Sequence, residues 1–155
     1  MTSLPPVICS IEVATPIEHA FATFTDGVGT WWPAATHSVG KEQVRNVILE
    51  THEGGRFYEE WLDGTLHTWG LVVAWEPPQR FVVTWHPGLD PEESTEVEVT
   101  FSPTAAGTFV ELKHRGWEKR GSHAAEKRAQ YESGWPSSLQ LFRDEAERST
   151  AGSAL

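Results

Sequence analysis

Tyr131, Trp135, Leu139, Phe142 and Ala146 recur at intervals of 4, 4, 3 and 4 residues near the end of the chain. That spacing lines one face of an α-helix, while Lys127, Glu132, Gln140, Arg143, Asp144 and Glu147 take the remaining surface. The helix is predicted from about Ser122 to Ser149, with Ser122 as N-cap, Glu126 near the positive end of the helix dipole and Arg148 near the negative end. About 25 residues at about 1.5 Å each make a rod of about 37 Å, enough to span a small domain. Gly134-Trp135-Pro136 interrupts it, because proline removes a backbone donor and crowds the preceding turn; a kink or a break near Gly134 is expected. A helix with one apolar stripe must lie on something, and the preceding residues supply a sheet.

Val7, Cys9, Ile11 and Val13 alternate with Ile8, Ser10 and Glu12, the period of a half-buried strand. Thr15-Pro16 predicts a helix start with Thr15 as N-cap, and Ile17, Ala20, Phe21 and Phe24 give that helix its apolar face. Thr25-Asp26-Gly27 closes it; Gly29 to Pro33 reads as a turn or second short helix, and residues 34–43, which have no clear period, as a loop. Strands follow over Val44–Glu50, Arg56–Trp61, His67–Trp75, Arg80–Trp85, Val97–Phe101 and Thr108–His114, and Asp63-Gly64 is the strongest hairpin signal among their turns. The order predicts an α+β fold: a curved seven-stranded antiparallel sheet around a long C-terminal helix, with one or two short helices after the first strand. Residues 7–149 form the single domain, with 1–6 and 150–155 as tails. A curved sheet cannot touch a straight rod everywhere, so a cavity is expected between them.

The chain has 12 Lys and Arg against 22 Asp and Glu, a formal net charge of −10. Such a field repels phosphate backbones and anionic lipid, so neither nucleic acid nor a membrane is expected as a partner. No apolar run is long enough for a membrane span, and the first six residues lack a signal-peptide pattern, so a cytoplasmic location is expected. Cys9 has no second cysteine to pair with, and no His, Asp or Glu spacing matches a metal motif; neither metal nor cofactor is expected. Eight tryptophans are many for 155 residues. They either fill the core of a curved sheet or line a concave pocket, where indole offers wide apolar area with one donor.

Thr30-Trp31-Trp32-Pro33, Gly54-Gly55-Arg56-Phe57, Asp63-Gly64, Trp69 to Val72, Trp75 to Pro78, Thr84-Trp85, the Thr108 to His114 strand and Gly134-Trp135 occur in an order and spacing that carry a family likeness. Together, over residues 7–148, they resemble the START-like helix-grip superfamily (SRPBCC), in the branch named for heat-shock-protein ATPase activator homologues. The resemblance implies the helix-grip fold. It also implies a range of roles: ligand carriage, cyclase chemistry or co-chaperone action.

Trp31 and Trp32 sit where a helix-grip fold has one lip of its cavity, as core plug or as ligand contact. Parity puts Trp85 with Phe81 and Val83 facing the helix. Trp61 and Trp69 lie on neighbouring strands, and register and bulges decide which way they face. Phe57, Glu59 and Trp61 share one face; Glu59 is either a buried acid or acceptor, or, as the favoured reading, an exposed carboxylate. His114 continues the row of Thr108, Val110 and Leu112 and is aimed at the helix. It is a core histidine bonded to backbone, a polar anchor for a ligand, or, behind these, a general base. Tyr131 and Trp135 on the helix complete the candidate ligand site. No nucleophile elbow, Ser-His-Asp set or phosphate loop is present. The expected function is binding of a small hydrophobic molecule, aromatic or lipid-like, ahead of a co-chaperone-like interaction domain and of a cyclase or hydratase using His114 with Glu59 or Tyr58. A homodimer and a chaperone are further candidate partners.

Overall fold

The computed structural model describes residues 4–153. Its elements are β1 (Val7–Val13), α1 (Ile17–Phe24), β2 (Val44–Leu49), β3 (Arg56–Trp61), β4 (Leu66–Glu76), β5 (Arg80–Trp85), β6 (Thr95–Pro103), β7 (Thr108–Arg115) and α2 (Ala124–Ser153). Short 3-10 turns precede β2, β6 and α2. The strands form one antiparallel sheet in the order β1-β7-β6-β5-β4-β3-β2. β1 therefore returns to the last strand, Val7 opposite His114 and Val13 opposite Thr108. The sheet curls as a half-barrel around α2, the helix-grip arrangement that the sequence predicts.

Curvature is unevenly distributed. The β2–β3, β3–β4 and β4–β5 pairs each contain a register shift, whereas β5–β6, β6–β7 and β1–β7 run without one. An extra residue in one strand bends it and tightens its twist. In β4 the shift falls after Phe57 opposite Gly70, with Tyr58 next opposite Thr68, so Trp69 is the extra residue. Trp69 and Gly70 are consequently both buried, against strict alternation. Glycine is required at position 70 by close approach, since a Cβ there would lie 1.7 Å from the Thr84 carbonyl oxygen.

The apolar stripe of α2 is seated as its spacing demands. Trp135, Leu139, Phe142 and Ala146 are buried, and Tyr131 is half-buried at the edge. Each large side chain removed from water in this way stabilises the fold by about 1.5–3 kcal/mol. Phe21 and Phe24 of α1 pack edge-on against Phe81 and Phe101 of the sheet, and Trp31 is wedged between Phe24 and Phe142.

Three local expectations are corrected. The long helix is continuous through Pro136. Pro136 is exposed, and the Ser137 and Ser138 hydroxyls donate to the Gly134 carbonyl. The helix also begins differently: a 3-10 segment, Trp117–His123, leads into it, with Gly116 in the left-handed region at φ 89°. Thr15 does not cap α1; its hydroxyl bonds that of Thr150, and its carbonyl accepts from Thr108 Oγ1 at 2.8 Å. Of the segments read as tails, 1–3 and 154–155 lie outside the described residues, whereas α2 continues through Ser153.

Candidate functional site

Glu59 projects from β3 to the inner face and is 0% exposed, which overturns the expectation of a solvent-facing carboxylate. The bulge beside it turns the Trp69 indole inward as a partner. Four N–H groups converge on its two oxygens: Val39 N at 3.0 Å and Trp69 Nε1 at 2.9 Å on Oε2, Gly40 N and Trp61 Nε1 at 2.7 Å each on Oε1. An ionised carboxylate is an acceptor only, and four donors replace the water it has lost. The same bonds fasten the 38–41 segment, which sequence periodicity reads only as loop, to the sheet. Gly40 lies against the Trp61 indole, where a Cβ would come within 2.5 Å of Nε1.

His114 points inward as strand parity requires and is 0% exposed. Its Nδ1 accepts from Trp135 Nε1 at 3.1 Å, and its Nε2 lies 2.6 Å from Thr95 Oγ1. Indole only donates, so Nδ1 carries no proton and Nε2–H donates to Thr95. The Thr95 hydroxyl donates in turn to the Trp85 carbonyl at 3.2 Å. Burial first, then the nearby Arg120 cation, hold the imidazole pKa well below its ordinary value, which matches this neutral tautomer. Both ring nitrogens are thus engaged within the protein, by side chains where the sequence reading had backbone.

The tryptophans divide into two groups. Trp32, Phe57, Trp69, Trp85 and Trp135 pack ring against ring, with centroids 5.1–6.2 Å apart. At their edge a cavity of about 470 Å³ opens to solvent between α2, the 32–41 segment and the end of β5. Trp32, Trp85, Tyr131 and Trp135 line it. Phe57, Glu59, Trp69 and His114 form the layer behind. Trp31 is a core plug bonded to the Thr23 carbonyl, and Trp61 lies apart, stacked on His67 at 3.9 Å.

Sequence reasoning missed the polar half of the lining, above all Arg120. It comes from the 3-10 segment before α2 and is only 4% exposed. Its Nε donates to the Glu93 carbonyl at 2.9 Å, and its Nη2 to the Trp85 carbonyl at 3.0 Å and Thr95 Oγ1 at 3.4 Å. The guanidinium also donates to the Tyr131 hydroxyl oxygen. Burial pulls its pKa down, opposed by Tyr131 and Glu93, and a guanidinium remains a cation in such a site. Tyr131 Oη accepts from Trp85 Nε1 at 3.0 Å. Arg120 stands in the charged run Glu118-Lys119-Arg120, and nothing in that run marks one member as buried.

Residues 14–147 match the family model described as Activator of Hsp90 ATPase homolog 1-like protein. The chain belongs to this family, a branch of the START-like superfamily. Among activator-homologue-like and related solved structures, CalC from Micromonospora echinospora, a self-sacrificing resistance protein, is 32% identical, with 95% of this chain and 97% of that chain covered at a TM-score of 0.72. Txn09, an anthrahydroquino-gamma-pyrone synthase solved in complex with SUM, is 35% identical over 81% of this chain and 86% of its own, with a TM-score of 0.57. An activator-homologue-like protein from Aeromonas hydrophila shares the fold at 21% identity, 93% coverage of each chain and a TM-score of 0.65. No curated protein sequence matches the chain significantly. Among the described residues no helix is long and apolar enough to cross a membrane, and no side-chain cluster has the makings of a metal site.

Proposed function

We propose that this protein binds a planar aromatic small molecule in the cavity beside α2. The observation that carries this reading is the wall itself: half-buried Trp32 and Tyr131 present ring surface to a space of about 470 Å³ that is open on one side, with the nearly buried Trp85 and Trp135 completing its lining. That volume falls within the range of small-molecule sites, and aromatic faces and edges favour a flat ring system over a flexible chain. The likeness to Txn09, whose name denotes synthesis of a fused aromatic pyrone, supports the same class of ligand.

A cyclase role on that ligand is the second reading, and the Txn09 likeness alone favours it. His114 does not supply its base, because both ring nitrogens are bonded within the protein and Tyr131 and Trp135 pack directly on its ring at 4.7 and 5.9 Å. Binding is therefore the stronger reading. Titration with a panel of two- to four-ring aromatics, followed by tryptophan fluorescence and calorimetry, tests it. Quenching is expected, and Trp32→Ala, which removes one cavity wall, is expected to weaken binding about tenfold or more by deleting a ring contact and its buried area. Absence of heat and of any spectral change across the panel would overturn the reading.

A further inference from the structure

The charge on the cavity wall is opposite to the charge on the protein. The chain carries 22 Asp and Glu against 12 Lys and Arg, yet the lining contains Lys41, Arg120 and Lys127 and no carboxylate. Lys41 and Lys127 stand toward solvent, whereas Arg120 is buried. None of the ion pairs among the described residues involves Arg120. Its hydrogen bonds go to two backbone carbonyls, the Thr95 hydroxyl and the Tyr131 hydroxyl oxygen, all neutral acceptors.

A buried cation with no carboxylate in contact, only the nearby charge of Glu93, costs stability that an anion in the cavity would offset. The Tyr131 hydroxyl oxygen accepts from the guanidinium and from Trp85 Nε1, so its own O–H is left to donate elsewhere. Two donors of fixed geometry, one of them cationic, therefore adjoin one end of an aromatic-walled space. A guanidinium N–H paired with a hydroxyl matches the two oxygens of a planar anion. The lining holds no glycine-rich phosphate cradle of the kind a phosphoryl group uses, and Gly134, its one glycine, is inside α2.

We propose that the ligand is an aromatic carboxylate: its rings lie against Trp32 beside Trp85 and Trp135, and its carboxylate accepts from the Tyr131 hydroxyl and pairs with the Arg120 guanidinium. Lys41 and Lys127 at the mouth attract it against the negative field of the rest of the molecule. This rests on the cavity being a site for aromatic ligands, and the test separates the two.

Calorimetry with matched pairs decides it: 2-naphthoate against 2-naphthamide, and the corresponding anthracene and anthraquinone acid and amide. The acids are expected to bind about ten- to a hundredfold tighter than the amides, the range of a charge-assisted hydrogen bond. In Arg120→Gln the acid should lose more affinity than the amide, so that the ratio falls toward one. Tyr131→Phe retains the ring and should weaken the acid selectively, which keeps the test intact where Arg120→Gln does not fold. Equal affinity of acid and amide for the unaltered protein would overturn the carboxylate assignment and leave the aromatic site standing. Failure of acids and amides alike would overturn both.

Discussion

Glu59 and Arg120 are both withdrawn from water, at 0% and 4% exposure, yet they are accommodated in different ways. Glu59 receives four N–H donors and faces no open space. Arg120 is held by the Glu93 and Trp85 carbonyls and the Thr95 and Tyr131 hydroxyls, and it borders the cavity. A polar group whose partners are all protein groups fixes the structure around it. One that also borders an open cavity can meet something that arrives. His114 belongs with Glu59 in this respect, although its sequence position points it at the ligand space.

The comparison predicts that Glu59→Ala does more damage than any change at the cavity wall. It strands two backbone and two indole donors, each at about 1–3 kcal/mol, so a loss of about 5 kcal/mol or more is expected. Chemical denaturation measures it; a loss under about 1 kcal/mol would mean that water serves the four donors as well as Glu59 does. Trp135→Ala comes next, at about 3–5 kcal/mol, because it deletes a buried ring and the donor to His114 Nδ1 together. An unchanged midpoint would show that this face of α2 contributes little.

A smaller effect comes from pH. Burial followed by Arg120 holds His114 well below the ordinary 6.5, and burial, with Arg120 adding and Asp90 opposing, lowers His86. As pH falls below about 6.5 the unfolded chain takes up protons that the native rings refuse. Stability contributed by the neutral rings is therefore complete above that pH and declines below it, by at most about 1.4 kcal/mol per pH unit for each histidine. Denaturation midpoints between about pH 7.5 and 5.5 should show this slope, and His114→Gln should make it shallower. A slope unaffected by that substitution would place the titration elsewhere. Smallest is Trp61→Phe, which removes one of four donors from Glu59 at the half-exposed edge and should cost about 1 kcal/mol. A loss as large as that of Glu59→Ala would mean that the four donors act as one unit, with no graded contribution from each.

Most of the fold was legible because its signals are local. The 131, 135, 139, 142, 146 spacing needs only helical geometry, and Asp63-Gly64 needs only a turn, in which Gly64 indeed has φ 89°. The candidate site was half legible. Trp85 follows from strand parity, Tyr131 and Trp135 from helix phase, and Trp32 from the cavity lip that the family resemblance implies. Glu59 was misread because its burial depends on the 38–41 backbone folding over it, a contact between segments about twenty residues apart with no periodic signal of its own. Arg120 was not singled out, since an arginine in a polar stretch is ordinarily a solvated one.

By itself the sequence determined the order of elements, the inward face of each regular strand and the buried stripe of α2, because backbone periodicity and the hydrophobic effect act residue by residue. It also determined the negative net charge. Only the tertiary structure decided which indoles close on one another and which wall a space, that Glu59 and His114 are fully engaged, and that Arg120 borders the open cavity. Those outcomes depend on bulges in three strand pairs and on loops crossing the sheet, which set where donors and acceptors meet. Hydrogen bonding at such a distance in sequence is fixed by position in space, and no local pattern records it.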